Sequence, residues 1–287
     1  MAMRCLLVPT GPDCDARPRL DLALALSDRL KAHIGLTFLS PPAEDVLAAI
    51  PEMAIAAGVT RERLEEETRE AIGAARAAFE TWCTGADVAV RAGDDVRPGV
   101  TDASFTVRLG PVDASLARAG RLSDLIVIDR PDWQDPFATV AFDAAVFATG
   151  RPALVVPPGP APADPLRKLL IAWNGSLEGA RAIAQAMPLI EAAGAVAIFS
   201  APRRDEDAQD AAELAAYLAR HGIAAERLAP PDPTRSVGAA LLEAAQASGA
   251  SLLVMGAYTH SRVRQFFLGG VTRHVLDHAP LPVLMTH

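Results

Sequence analysis

Short apolar runs alternate with amphipathic helical patterns along the whole chain. The apolar runs are continuous stretches of Leu, Ile and Val, such as LIVID at 125–129, rather than strict alternations of apolar and polar residues. Continuous runs indicate strands that are buried on both faces, and the helical stretches between them supply the covering layers. The pattern therefore predicts an α/β protein built from open parallel sheets with helices on both faces.

The same pattern assigns approximate limits to each element. In the first half we predict strands at 4–8, 34–39, 104–109, 125–129 and 153–156, with helices at 18–32, 60–83, 111–120 and 138–148. In the second half we predict strands at 168–172, 195–199, 223–228, 251–255 and 282–286, with helices at 176–192, 206–221, 235–248 and 270–278. The first half is longer, and its extra residues are expected in the Pro-, Gly- and Asp-rich stretches 40–60 and 84–102.

The order of strands and helices occurs twice, which indicates an internal duplication. Residues 4–11 align with residues 168–175, because each stretch is a strand followed by a glycine turn. Residues 157–165 hold five prolines in nine positions, a composition that neither a helix nor a sheet tolerates. We therefore predict a first domain at 1–156, a linker at 157–165 and a second domain at 166–287. A chain of 287 residues is long enough for two such cores.

Composition and charge exclude several classes of partner. The chain is 51% apolar and 22% charged, as expected of a folded globular protein. Its 35 acidic residues outnumber 27 basic ones, so it lacks the basic surface that nucleic acid requires. No apolar stretch approaches the roughly 18 residues of a membrane span, and Pro9 and Gly11 interrupt the short apolar run near the N-terminus. We expect a cytoplasmic protein that binds neither nucleic acid nor membrane.

Cysteine and histidine spacings give no support for a metal site. Cys5, Cys14 and Cys83 show no C-x-x-C spacing. Cys5 falls in a strand that is expected to be buried, whereas Cys14 lies in a turn and is the better candidate for a reactive thiol. His274 and His278 share one face of a predicted helix, but no third ligand lies nearby.

The loop after the strand at 251–255 is the principal candidate site. Ligands of open parallel sheets bind beyond the carboxyl ends of the strands. Gly256 ends this strand, and Gly269 and Gly270 open the next predicted helix. The free backbone N–H groups at a helix N-terminus attract anions, and glycine lets a phosphate approach them closely. The loop is therefore a candidate phosphate-binding site, although two glycines at the start of a helix can also serve only to end a loop.

Side chains of the same loop support the phosphate interpretation. Thr259 and Thr272 supply hydroxyl donors, and Arg262 or Arg264 could neutralise a phosphate. The chain contains no Gly-x4-Gly-Lys-Ser/Thr stretch, so this is not the phosphate loop of a P-loop nucleotidase. It also contains no Gly-x-Ser-x-Gly elbow of a hydrolase.

The stretch 254–286 resembles the C-terminal part of a universal stress protein domain, whose ATP-binding members carry Gly-x2-Gly-x9-Gly-Ser/Thr in this place. The corresponding loop of this chain reads Gly256-x2-Thr259-x9-Gly269-Gly270-Val271-Thr272. Since the order of elements is similar in both halves, the chain resembles a tandem universal stress protein with Rossmann-like, adenine-nucleotide α-hydrolase-like domains. The resemblance implies a stress-response protein that binds ATP, with or without Mg²⁺, in its second domain.

The resemblance assigns the loop positions residue by residue. Gly256 and Gly269 correspond to the first and third glycines of the family pattern. Thr259 occupies the place of the second glycine, and Gly270 occupies the place of the Ser or Thr. Thr272 could supply the hydroxyl group that Gly270 lacks.

The family also carries an Asp after its first strand, near the adenosine. Asn174, followed by Gly175, stands in that place in the second half, and its amide keeps an acceptor oxygen without the charge. In the first half Thr10 replaces the Asp, and Thr139 and Val140 replace the loop glycines. We therefore expect the nucleotide site in the second half and none in the first.

Two other functions are compatible with the same fold. One is a nucleotide-free scaffold, in which the domains form an intrachain pseudo-dimer through the strands at 153–156 and 282–286; this interpretation leaves a further homodimer open. The other is an enzyme, but the loop has no Asp pair for Mg²⁺ and no evident base for water. We assign no catalytic residue and expect at most weak ATP hydrolysis.

Overall fold

The computed structural model describes residues 2–49, 51–56, 58–91, 95, 97–200, 205–229, 235–257 and 270–287. Its strands are β1 (Cys5–Thr10), β2 (His33–Ser40), β3 (Ala89–Val90), β4 (Asp102–Leu109), β5 (Leu125–Asp129), β6 (Ala153–Val156), β7 (Leu169–Ala172), β8 (Val196–Phe199), β9 (Ala225–Leu228), β10 (Leu252–Gly256) and β11 (Val283–Thr286). Its helices are α1 (Arg17–Leu30), α2 (Ala43–Ala49), α3 (Pro51–Ala56), α4 (Arg61–Gly85), α5 (Val112–Gly120), α6 (Pro136–Phe147), α7 (Leu177–Ala192), α8 (Asp205–Arg220), α9 (Val237–Ala247) and α10 (Gly270–His278).

The strands of the described residues form one continuous sheet. Their order is β3-β4-β2-β1-β5-β6-β11-β10-β7-β8-β9. Neighbouring strands run parallel everywhere except at the β6–β11 pair, which is antiparallel. In each half the chain first adds strands on one side of the first strand and then crosses to the other side, and in the first half β4 lies between β2 and the edge strand β3. The predicted α/β class with helices on both faces is confirmed.

Successive strand residues pack into different cores, which explains the continuous apolar runs. In β10, Leu252 and Val254 belong to one buried cluster, while Leu253 and Met255 belong to the other. Helices α1, α4, α7 and α8 cover the first face, and α5, α6, α9 and α10 cover the second. Because both faces of each central strand are covered, neither face tolerates the polar alternation of a half-exposed strand.

The two halves meet edge to edge through β6 and β11. Leu284 pairs with Leu154, and Val283 pairs with Val155, in antiparallel register. All residues of both strands are buried. The pairing closes the edges that each half would otherwise leave with unpaired backbone N–H and C=O groups. Residues 157–165, which follow β6, form neither helix nor strand.

Three short elements were not predicted. The stretch 40–60 contains α2 and α3 rather than only loop, and β3 lies within 84–102. Each short helix begins beside a proline, since Pro42 precedes α2 and Pro51 is the first residue of α3. Proline is compatible with the first turn of a helix, where its missing N–H would have no partner. The proline-rich composition therefore concealed helix starts.

The prediction that Cys5 is buried is wrong. Cys5 is the first residue of β1 and is exposed, whereas Cys14 is half-buried and Cys83 is buried. Cys5 begins its strand at an end of the sheet that the covering helices do not reach.

In the described part of the chain, no helix is both long enough and apolar enough to cross a membrane.

Candidate functional site

The carboxyl ends of β7 and β10 lie side by side at the edge of the sheet that the sequence indicated. These strands are neighbours, with Met255 opposite Ala172. From β7 the chain crosses through α7 to β8 on one side, and from β10 it crosses through α10 to β11 on the other. This reversal of direction is the position at which open parallel sheets bind ligands. Asn174 and Gly175 follow β7 and Gly256 ends β10, so the structure brings these three residues to one edge.

The turn after β7 is shaped by its own polar side chains. The Oδ1 atom of Asn174 accepts a hydrogen bond from the backbone N–H of Ser176 at 3.2 Å. The Oγ atom of Ser176 in turn accepts from the N–H of Gly179 at 3.1 Å and so caps α7. Gly175 has a φ of +69°, a conformation that side chains disfavour. Asn174 and Gly175 are both exposed, so the turn presents an amide and its backbone at the surface.

Gly256 has a packing role that the loop pattern did not suggest. A Cβ atom at this position would lie 2.5 Å from the backbone N of Gly179 and 2.6 Å from the backbone C of Glu178. The first turn of α7 therefore approaches β10 so closely that only glycine fits. Gly256 is required by the contact between helix and strand, independently of any ligand.

The start of α10 combines an open glycine with buried neighbours. Gly270 is exposed, and a Cβ atom there would meet no heavy atom of the described residues within 4 Å. Val271 is half-buried against the second core, and Thr272 is only 5% exposed. Thr259, Arg262 and Gly269 fall within 258–269, outside the described residues, so their assignment stays a prediction.

Trp173 adds a polar group that the loop pattern did not assign. It follows β7 directly, and its buried Nε1 atom has no hydrogen-bond partner among the described residues. The side chain lines a cavity of about 390 Å³ between α7 and α8, together with Ile183, Leu214 and Tyr217. A buried indole N–H without a partner costs about 1–3 kcal/mol, so an acceptor in this cavity would be favoured.

The histidines of α10 stack on one another. The rings of His274 and His278 are 4.4 Å apart between centroids, and the carbonyl oxygen of His274 lies 2.9 Å from Nδ1 of His278. His274 also packs against Gly238, where a Cβ atom would lie 2.9 Å from its ring. No group of three or more metal-ligating side chains occurs among the residues that the structure describes.

The corresponding edge of the first half has different chemistry, and sequence reasoning missed its central residue. Arg19 in α1 is 2% exposed, and its Nε atom lies 2.9 Å from Oδ2 of Asp129 at the end of β5. Its Nη2 atom lies 3.0 Å from Sγ of Cys14, and its Nη1 atom donates to the carbonyl oxygen of Pro9. The sequence did carry a signal that Arg19 is buried, because Arg19 shares its helix face with the apolar residues Leu22, Ala23 and Leu26.

Arg130 and Trp133, which follow β5, connect the first half to α10. The guanidinium of Arg130 donates to the carbonyl oxygens of Asp277 and Ala279. The Trp133 Nε1 atom donates to the carboxylate of Asp277 at 3.4 Å. The guanidinium of Arg273 lies 4.7 Å from the centre of the Trp133 ring. The loop after β5, which lacks the glycines of the corresponding loop in the second half, thus contacts the second half.

Comparison with known proteins identifies the class of the second half. Residues 165–287 match the model of the universal stress protein family, so this part of the chain carries a universal stress protein domain. No curated protein matches the chain.

Solved structures extend the likeness in fold to nearly the whole chain. A universal stress protein from Archaeoglobus fulgidus DSM 4304 is 16% identical, with a TM-score of 0.60 over 98% of this chain and 97% of that chain. A functionally unknown protein from Pseudomonas aeruginosa PAO1 is also 16% identical, with a TM-score of 0.53 over 99% of this chain and 92% of that chain. At these identities the likeness concerns the fold.

Proposed function

We propose that this chain is a tandem universal stress protein, with domains at 1–156 and 166–287, that acts in the stress response by binding an adenine nucleotide such as ATP in its second domain. The observation that carries the proposal is the convergence of Asn174, Gly175 and Gly256 at the strand crossover of the segment that matches the family. The family match covers the second domain alone, whereas the first domain is proposed from the strand order and the duplication.

The residues present fit a nucleotide in two respects. The exposed turn at Asn174 offers an acceptor oxygen and free amide donors for the ribose or the base. The open N-terminus of α10 at Gly270 offers backbone N–H groups and a partial positive charge to a phosphate. A bound nucleotide would add negative charge and an adenine ring to this edge of the domain, and a partner protein could recognise the occupied site by them.

Binding rather than turnover is the proposed activity. The described residues include no group of three or more His, Cys, Asp or Glu side chains that could hold a catalytic metal ion. Phosphoryl transfer needs charge neutralisation and an oriented nucleophile. We therefore expect weak ATP hydrolysis at most.

Calorimetric titration of the purified chain with ATP, with and without Mg²⁺, tests the proposal. The informative pair of variants is Gly270→Asp and Gly270→Asn, because a Cβ atom at this position contacts none of the described residues and the two side chains differ mainly in charge. Asp at the helix start favours the helix but repels a phosphate. We expect Gly270→Asp to weaken ATP binding at least about tenfold relative to Gly270→Asn. Absence of heat and of thermal stabilisation at millimolar ATP would overturn the proposal.

A nucleotide-free scaffold is the second candidate, and two observations favour it. The α7 contact alone accounts for Gly256, and β6–β11 pairing joins both halves in one sheet. In that case the duplication would serve to build a pseudo-dimer with a shared outer surface. Mass spectrometry of any nucleotide that co-purifies with the chain separates the two candidates, since the scaffold would carry none.

A further inference from the structure

A crevice of about 960 Å³ lies in the first half, beyond the carboxyl ends of β1 and β5. These strands are neighbours, with Leu6 opposite Leu125, and the chain leaves them in opposite directions across the sheet. The crevice therefore occupies the first half's own crossover position, where ligands of open parallel sheets bind. Its volume is at the upper end of the range of small-molecule sites, about 300–1,000 Å³.

The walls of this crevice are apolar and stiff. Pro18, Pro136, Phe137, Val140 and Val156 line it from α1, α6 and β6. The ring of Phe137 lies directly over the backbone of Gly11, where a Cβ atom would be 2.5 Å from Cζ. The backbone after β1 is thus covered by an aromatic ring and is not open to a phosphate.

The charged groups of the lining are predominantly acidic. The carboxylates among the lining residues belong to Asp13, Asp15, Asp129 and Asp135. Burial raises the pKa of the Asp129 carboxyl, the charge of Arg19 opposes this effect, and the charge of Asp15 adds to it. Asp129 is therefore partly removed from water, whereas Asp13, Asp15 and Asp135 are exposed at the rim of the crevice.

The nearby cations do not cancel this charge. Arg130 is a lining residue, but its guanidinium donates to the carbonyl oxygens of Asp277 and Ala279 in the second half. Arg19 pairs with Asp129, whereas no ion pair of the described residues includes Asp13, Asp15 or Asp135. Asp15 and Asp135 each accept one backbone hydrogen bond at a helix start, from Arg17 and Phe137, and keep their negative charge. A bound anion would meet these carboxylates, whereas a bound cation would be attracted to them.

We propose that the first-half crevice binds a small organic cation, an ammonium group carried on an apolar or aromatic body. The proline, valine and phenylalanine walls would bury the body, and the carboxylates would receive the ammonium group. The ring of Phe137 also offers a face to a cation. The proposal does not depend on nucleotide binding in the second half, and it gives the first domain a ligand of opposite charge.

Titration of the full chain with phenethylammonium tests the proposal, and 2-phenylethanol serves as its neutral analogue of nearly the same shape. We expect the cation to bind at millimolar concentration or below, and the alcohol to bind at least about tenfold more weakly. Added salt should weaken binding of the cation but not of the alcohol. Equal affinity for both probes, or no binding of the cation at millimolar concentration, overturns the proposal.

Two conservative variants locate the site. Asp13→Asn removes a lining carboxylate at a residue with a φ of 55°, a conformation that Asn also accepts. Asp87→Asn is the matched control, because Asp87 is likewise exposed, has a φ of 55° and lies outside the crevice. We expect Asp13→Asn to weaken binding of the cation about threefold while Asp87→Asn leaves it unchanged. Equal losses in both variants would contradict the assignment. Parallel titration with ATP keeps a failure here distinct from a failure of the nucleotide proposal.

Discussion

Replacing Gly256 by Ala separates the packing role of this glycine from any role in nucleotide binding. The added Cβ atom would lie 2.5 Å from the backbone N of Gly179 and 2.6 Å from the backbone C of Glu178. Backbone atoms cannot move aside as the end of a flexible side chain can. The first turn of α7 must therefore retreat by about 0.9 Å to reach an ordinary contact distance.

This retreat has a cost that can be estimated. Overpacking of a close contact destabilises a protein by about 1–3 kcal/mol. The moving turn also carries the N-cap of α7, in which Ser176 Oγ accepts from the Gly179 N–H, and loss of such a cap costs about 1 kcal/mol. We therefore expect Gly256→Ala to lower the free energy of unfolding by about 2–4 kcal/mol in the absence of any nucleotide.

Urea unfolding, followed by circular dichroism and by tryptophan fluorescence, measures this effect. Trp173 stands in the turn between β7 and α7 that must move, and it contributes to the emission together with Trp82 and Trp133. Gly270→Ala is the matched control, because its Cβ atom meets none of the described residues within 4 Å and alanine favours the helix by up to about 1 kcal/mol. A Gly256→Ala variant as stable as the unsubstituted chain would refute the packing argument and would make a ligand the better reason for this glycine.

Three further predictions concern stability. Arg130→Ala should lower the free energy of unfolding by about 1–3 kcal/mol in urea, because it removes both cross-half hydrogen bonds, and an unchanged value would show that α10 does not need them. Burial, together with the charge of Glu80, raises the pKa of the Cys83 thiol to about 11, so the folded state still holds this proton at a pH where the unfolded state has released it. The free energy of unfolding, measured relative to that of Cys83→Val, should therefore be constant below pH 9 and fall between pH 9 and pH 11. Stability curves of the two proteins that stay parallel over this pH range would contradict the prediction. Leu284→Ala, at a side chain that is 0% exposed, should cost about 2–5 kcal/mol, whereas Leu122→Ala, at one that is 85% exposed, should cost less than about 0.5 kcal/mol by the same denaturation assay.

The local pattern of the sequence was sufficient to predict the class of fold. The runs at 125–129 and 251–255 are apolar at nearly every position because both faces of each strand are covered. This composition can be recognised in each run without knowledge of its neighbours. The sequence also located the candidate loop, since Gly256 and Gly270 mark a strand end and a helix start within one short interval. Element ends differ from the predicted ones by a few residues, and the helices at Ala43–Ala49 and Pro51–Ala56 were hidden by their prolines.

The tertiary structure alone decided which distant residues meet. Arg19 and Asp129 are 110 positions apart, and their ion pair exists because α1 crosses the end of β5. Gly256 is constrained by Glu178 and Gly179, which no spacing within its own loop could indicate. The chemistry of the first-half crevice likewise arises from side chains of several separate elements. Sequence periodicity reports how each segment faces its own surroundings, whereas a site depends on distances between segments, and packing alone determines those.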